Sequence, residues 1–360
     1  MAYYYSPYAQ RKRKKNPFRK WTRRILLLLI LIVAGAGYYF YGIINKPNVW
    51  TPDGKSVGIN IQKGTDFAGL KKILYSKGLI IHRKSFEWWA KQKKLPSLVK
   101  PGHYVIKNGW SNNQLIDVLR SGKQTPVKVT FNNVRNIYEL AGKVARQIEP
   151  DSASIARLLS DSSYIAKMGL NKYTVPVIFI PNTYQVYWTI SAKDFINRMY
   201  REYQKFWTPE RKKEAKAQGL TPKQVIILAS IIQKETNDNA EKPEIASVYL
   251  NRLNMGWRLQ ADPTVIFALG NYSIHRVLDI QKKVDSPYNT YLHSGLPPGP
   301  ICMPSISSIE AVLKPAHTDY MFFCAKDDLS GSHVFSKTSA EHRQNAKKYQ
   351  KALDKLDVYR

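Results

Sequence analysis

At 360 residues and 44% hydrophobic content the chain is long enough for two or three compact domains with real cores, which excludes a tail-like or wholly disordered protein. Its 56 Lys and Arg against 26 Asp and Glu give a formal net charge of +30, so an anionic partner is expected: nucleic acid, a membrane surface or an acidic polymer. Two cysteines, Cys302 and Cys324, do not make a disulfide framework, and the seven histidines show no H-x-x-x-H or comparable metal-ligand spacing, so no metal or other cofactor is expected.

Residues 1–24 read as a basic, Tyr-rich, disordered tail, with nine basic residues and no acid between Arg11 and Arg24. Twenty uncharged residues follow, Ile25 to Ile44, enough to cross a bilayer as a helix. Basic residues in front of such a run place the N-terminus in the cytoplasm and everything after Asn45 outside. Tyr38, Tyr39, Phe40 and Tyr41 would then lie at the outer interface, where amphipathic rings are favoured. The apolar run explains the basic cluster better than a nucleic-acid arm does, and the remaining positive charge forms no stripe with interleaved aromatics, so no nucleic-acid partner is expected. The alternative is a cleaved signal peptide ending at Ala34-Gly35-Ala36; the apolar run continues past that site, which favours an anchor.

Pro, Asn and Gly between Asn45 and Gly54 read as a short linker. The region 45–125 then reads as a small α+β module. A strand is predicted over Val57 to Ile61, helices from Phe67 and around Phe86 to Lys93, a strand after Pro101-Gly102, and a helix from Ser111 to Leu119 with a Ser111/Gln114 capping box. Residues 126–205 read as a connecting α/β region, opening with a strand, Val127 to Phe131, and a helix, Ile137 to Ile148. No internal repeat is present.

Residues 206–360 carry the chemistry. Thr221-Pro222-Lys223-Gln224 is a strong helix start: Thr as N-cap, Pro at the first helical position and Gln three residues after the cap. Val225, Ile226, Leu228, Ala229, Ile231 and Ile232 make that helix largely buried, and its polar end is Gln233-Lys234-Glu235-Thr236. A second helix is predicted from Pro243 to Leu253. A carboxyl at the mouth of an apolar helix is poorly solvated, so its protonated form is favoured, as a general acid at neutral pH requires. Pattern alone also fits an ordinary solvated glutamate at a helix end.

The wording of residues 206–352 closely resembles the MltG/YceG-like family of endolytic murein transglycosylases. The resemblance rests on Lys234-Glu235-Thr236, on Arg258-Leu259-Gln260-Ala261-Asp262-Pro263-Thr264, and on Ser286-Pro287-Tyr288-Asn289-Thr290-Tyr291. It continues through Gly295-Leu296-Pro297-Pro298-Gly299-Pro300-Ile301, a buried strand at Asp319 to Phe323, Gly331-Ser332-His333-Val334-Phe335 and Glu341-His342. It implies an α+β protein: a single transmembrane helix, a LysM-like module that is either glycan-binding or a spacer, and a mixed α/β catalytic domain with a catalytic Glu at a helix end.

Glu235 is thereby implied as the single general acid/base. It would protonate the bond between muramic acid and the following N-acetylglucosamine, then deprotonate the sugar's own 6-hydroxyl as a 1,6-anhydro ring closes. Gln260, Asn251, Asp262, Thr264, Tyr288, Asn289 and Thr290 are candidates for binding sugar. For each, a turn or cap hydrogen bond is the competing reading, and Asp262 reads first as a cap. Glu241 and Glu244 read as acids complementing the next helix's dipole, and His333 and His342 as locally bonded or cleft-lining.

The implied location is the inner membrane, with the catalytic domain extracytoplasmic. The implied partners are glycan strands and, as a family-level expectation, peptidoglycan synthases. Two departures stand out. Asn132-Asn133-Val134 replaces a Pro-Glu-Gly turn, and Pro181-Asn182-Thr183-Tyr184 keeps a Pro-Asp-Thr-Tyr-like turn without its preceding Glu-Gly, which weakens the case for this middle region touching substrate. Met303-Pro304-Ser305, where one family variant has Asn-Pro-Gly, should only reshape a loop. The competing classes are a murein-binding scaffold and a hydrolase using Glu235 with Asp262.

Overall fold

A computed structural model describes Met1, residues 17–274 and residues 276–354. Most of the basic tail lies outside the described residues. The chain divides into two compact units, Met1–Thr125 and Pro126–Arg360.

The first unit opens with helix α1, Pro17–Asn45, which starts before the apolar run and so takes in the end of the expected tail. Its apolar side chains from Ile25 to Tyr41 are exposed around the whole circumference. A long helix whose apolar stretch is exposed on every face is compatible with a single-pass membrane anchor. Then come β1 (Val57–Ile61), α2 (Phe67–Ser76), α3 (Arg83–Gln92), β2 (Gly102–Ile106) and α4 (Asn112–Ser121). Strands β1 and β2 pair antiparallel, Val57 opposite Ile106. The alternation of Ile59 and Ile61 with polar residues puts one face onto Leu70, Leu74, Phe86, Tyr104 and Leu115. The Ser111/Gln114 capping box forms at the start of α4.

The expected linker is instead built into this unit. Asn48 and Val49 donate their backbone N–H groups to Trp110 O, and Val49 bridges to Ile80, so the segment is pinned by long-range pairing that local composition does not reveal. The end of α1 is tied down as well: Asn112 Nδ2 donates to Ile43 O at 2.8 Å, and Phe40 stacks on Trp88.

The second unit starts with β3 (Val127–Phe131), α5 (Ile137–Ala145), α6 (Ser152–Ser160), α7 (Ser162–Ala166) and β4 (Asn182–Val186). It continues with α8 (Ala192–Phe206), α9 (Pro209–Ala217), α10 (Pro222–Glu235), α11 (Lys242–Asn254), α12 (Asp262–Leu269) and α13 (Ile306–Leu313), and closes with β5 (Phe322–Ala325), β6 (His333–Ser336) and α14 (Ser339–Asp354). One core runs from Val129 and Phe131 through Val144 and Phe195 to α10 and α13, so residues 126–205 and the later helices share a single apolar interior.

Both described ladders of this unit are antiparallel pairs, which makes it α+β. Asn182-Thr183-Tyr184, expected as a turn, is the start of β4, paired with β3 so that Asn182 faces Phe131. Strand β5 begins at Phe322, later than expected, and is half-buried, with α14 and α11 packed against it.

Helix α10 is the axis of the unit. Its capping box forms, Thr221 N–H donating to Gln224 Oε1 and Gln224 N–H to Thr221 Oγ1. Every residue from Val225 to Ile232 is buried. The Gly-Leu-Pro-Pro-Gly-Pro-Ile segment lies along it, Ile301 N–H donating to Ser230 Oγ at 3.0 Å. Gly299 explains itself here: a Cβ at that position would fall 2.0 Å from Tyr173 O. Gly299→Ala is therefore expected to cost roughly 1–3 kcal/mol, the usual range for overpacking, read as a fall in the thermal midpoint.

Candidate active site

Glu235 is the last residue of α10, and burial of the preceding turns fixes its direction. It opens on a cleft of about 690 Å³ lined by Gln233, Lys234, Glu235, Asn133, Pro181 and Ser305, among others. Gln233 locks the helix end to the next wall. Its Oε1 accepts from Ser305 N–H, Ser305 Oγ and Ser308 Oγ at the start of α13. Asn132, Asn133 and Pro181 also border the cleft, so the middle region reaches it despite its departures from the family wording. Asn133 adopts φ 47°, a left-handed turn that Asn tolerates. Lys143 Nζ holds the carbonyls of Asn132 and Asn133 in place.

Glu235 itself is half-buried, its carboxyl enclosed by protein while the residue still meets the cleft. Desolvation pushes its pKa up to about 7, and the charge of Asp262 adds to the rise, while a hydrogen bond from Tyr249 and the charge of Arg252 oppose it. Tyr249, on α11, donates its hydroxyl to Glu235 Oε1. That bond occupies one oxygen and leaves the other to carry the proton. Burial, together with the facing carboxylate, holds the Tyr249 hydroxyl well above its ordinary pKa, so it stays a donor. Tyr291 donates to Asp262 Oδ1 at 2.5 Å. Arg252 is buried, with Nε on Met321 O at 2.8 Å and Nη1 on Leu259 O at 2.5 Å. It forms no ion pair among the described residues, so its charge acts on the carboxylates only through the field.

The sequence-predicted residues fall into groups. Thr264 and Thr290 are buried and bonded to one another at 2.9 Å, and Thr290 Oγ1 also accepts from Ala261 N–H. Asn289 is fully buried and donates to Lys282 O and Val284 O. Asn251 donates to Thr318 O and Tyr320 O. The polar atoms of these four are thus engaged in holding the long segment between α12 and α13 and the approach to β5. Gln260 is exposed, with φ 51°, its N–H bonded to Thr290 O. Tyr288 stands at a neighbouring cavity.

Asp262 is not a cap: Ala261 is the N-cap of α12, and Asp262 sits in the first turn facing Tyr291. Glu241 does more than complement a dipole. It accepts from His333 N–H at 2.6 Å, from His333 Nδ1 at 2.9 Å and from Thr236 Oγ1, tying the turn after Glu235 to β6. His342 stacks on Phe322. Cys302 and Cys324 are both free.

Tyr249, Arg252 and Tyr291 were not singled out from sequence. A tyrosine and an arginine three residues apart, in helical register with Ile245 and Val248 of α11, are the available signal for the first two.

One proton-bearing carboxyl held beside a polar cleft, with a tyrosine fixing its geometry, is an arrangement suited to acid–base chemistry on an α+β scaffold. A sequence profile described as the YceG-like family matches residues 59–348. A protein of Bacillus subtilis named endolytic murein transglycosylase is 30% identical over 330 residues, covering 87% of this chain and 90% of that protein. One of the same name from Streptococcus pneumoniae is 26% identical over 322 residues, covering 81% of this chain and 58% of that protein. The crystal structure of a YceG-like protein from Listeria monocytogenes matches with a TM-score of 0.54 and 29% identity, over 81% of this chain and 98% of that one. The chain belongs to the YceG-like family.

Proposed function

We propose that this chain is an endolytic murein transglycosylase, a lyase that cuts glycan strands internally, with Glu235 as its only general acid/base. The observation that carries this reading is the Glu235 carboxyl, held protonated up to about pH 7 beside an open polar cleft, in a chain of this family. The protonated carboxyl gives its proton to the glycosidic oxygen as the bond from C1 of muramic acid breaks. The carboxylate left behind takes the proton of the 6-hydroxyl while that oxygen bonds C1, closing a 1,6-anhydro ring. The proton returns to Glu235, no water is consumed, and one carboxyl serves both steps. Tyr249 keeps the carboxyl in one orientation throughout.

Around that chemistry, α1 would act as a single-pass anchor in the cytoplasmic membrane with its basic end inside, since nine Lys and Arg crowd residues 11–24 before the apolar run while Lys46 and Lys55 alone follow it closely. The module of residues 45–125 would be LysM-like and face the glycan, and synthases that extrude nascent strands are the fitting neighbours. Asp262, whose charge acts on Glu235, is the specific feature that favours a second reading, hydrolysis with two carboxylates.

The test is mass spectrometry of fragments released from uncross-linked murein by the full chain in H₂¹⁸O. Internal fragments with anhydro ends and no ¹⁸O are expected. Reducing ends carrying ¹⁸O would replace this reading with hydrolysis, and strands bound but uncut would replace it with a scaffold.

A further inference from the structure

The Glu235 cleft does not end at Lys234. That side chain also borders a second cavity of about 210 Å³, together with Arg135, Phe267 and Tyr272. Arg135 and Phe267 in turn border a third, of about 390 Å³, whose walls include Lys172, Tyr173 and Tyr288. Neither of these two cavities has an Asp or Glu among its described lining residues.

None of the three cations forms an ion pair with a carboxylate among the described residues. Lys234 Nζ donates to a neutral amide, Asn133 Oδ1, at 3.2 Å. The Arg135 guanidinium lies over the Tyr272 ring at 4.6 Å, and Lys172 Nζ over the Tyr173 ring at 4.9 Å. The charge of Arg135 acts on Glu139, but that carboxylate takes only the Arg135 backbone N–H and pairs with Lys143 at 3.3 Å. A trough walled by aromatic rings and edged by cations with no carboxylate partner among the described residues suits a ligand with carboxylates and small apolar groups. A neutral sugar chain would leave those charges unanswered.

We propose that this trough binds the short acidic peptide carried on the lactyl group of the muramic acid next to the cut. Its glutamate and terminal carboxylates would face Arg135, Lys234 and Lys172, and its alanine methyls the rings of Tyr173, Tyr288 and Phe267. The inference rests on the proposed murein reading and deepens it: the enzyme would select strands that still bear their peptides.

Two measurements separate the trough from the lytic reading. Calorimetry on the full-length Glu235→Gln protein uses a synthetic stem tetrapeptide and the same peptide with every carboxyl amidated. The acidic form is expected to bind about tenfold more tightly, the scale of one charged contact, and Arg135→Gln or Lys172→Gln to erase most of that difference. Equal affinity for the two peptides, or no effect of either substitution, overturns the proposal. With active enzyme, kcat/KM on peptide-bearing strands relative to peptide-stripped strands is expected to fall about tenfold in Arg135→Gln. Equal losses on both strands overturn the peptide site while leaving the lytic reading intact. Binding of the acidic peptide by a protein that cuts neither strand would do the reverse.

Discussion

Glu235→Gln is expected to lose strand cleavage by about 100- to 10,000-fold, the usual worth of a positioned general acid/base, while folding normally. Gln keeps the shape and an oxygen for the Tyr249 hydroxyl but has no proton to give. The same substitution should make the protein more stable at alkaline pH. An unfolded Glu titrates near 4.5 and the native Glu235 near 7, so between those values the native chain holds a proton that the unfolded chain has released. Stability therefore falls as pH rises through that window, and the full cost stands above about pH 7. At about 1.4 kcal/mol for each pH unit that cost is at most roughly 3.5 kcal/mol, and Gln removes it. Thermal unfolding at pH 8 should show the variant ahead of the wild type, with the gap closing near pH 4.5. An active variant would remove Glu235 from the chemistry. An inactive variant that is less stable at pH 8 would mean that the native carboxyl is not desolvated.

How far the sequence foretold this site depends on the range of the interaction involved. Helix α10 was legible because its start is local, with Thr221, Pro222 and Gln224 all within one turn, and because its apolar run needs no partner to be recognised. The same holds for the capping box of α4 and for strands β1 and β3, where β-branched residues alternate with polar ones. Strand β4 was not legible, because Asn182 and Thr183 have turn chemistry and become a strand only by pairing with Phe131 and Thr130 far back in the chain.

The polar candidates show the same limit. Asn251, Thr264, Asn289 and Thr290 have groups that suit sugars, but the same groups suit backbone carbonyls, and the fold takes them for that purpose. The cavity walls at Asn133 and Pro181 come from another part of the sequence, where the wording departs from the family's, and nothing local marks them as lining a cleft. Tyr249 lies on the next helix after Glu235, and only the packing of α11 against α10 turns it towards the carboxyl.

Arg252→Met should combine the largest stability loss with a displaced pH profile. The guanidinium is buried and bonded to the carbonyls of Met321 and Leu259, and its face lies over Phe322. Met fills much of the volume but leaves both carbonyls without a donor. Each charged bond is worth about 1.5–3 kcal/mol, and relief of the guanidinium's desolvation offsets part of the loss. A net cost of about 2–4 kcal/mol follows, or roughly 5–15 °C in thermal midpoint for a unit of this size.

The effect on chemistry is separable from that loss, because it acts through charge. Arg252 holds the pKa of Glu235 down and Asp262 holds it up. Cleavage needs the protonated carboxyl, so the rate falls as pH rises through about 7. Without the Arg252 cation the carboxyl keeps its proton to higher pH, and the alkaline limb of kcat/KM should move up. In Asp262→Asn, which removes a neighbouring negative charge, the limb should move down. Opposite displacements in the two variants would identify Glu235 as the group that titrates in catalysis. A limb that stays fixed in both would assign the titration to another residue, and a rate lost outright in Asp262→Asn would mark Asp262 as a second participating carboxylate.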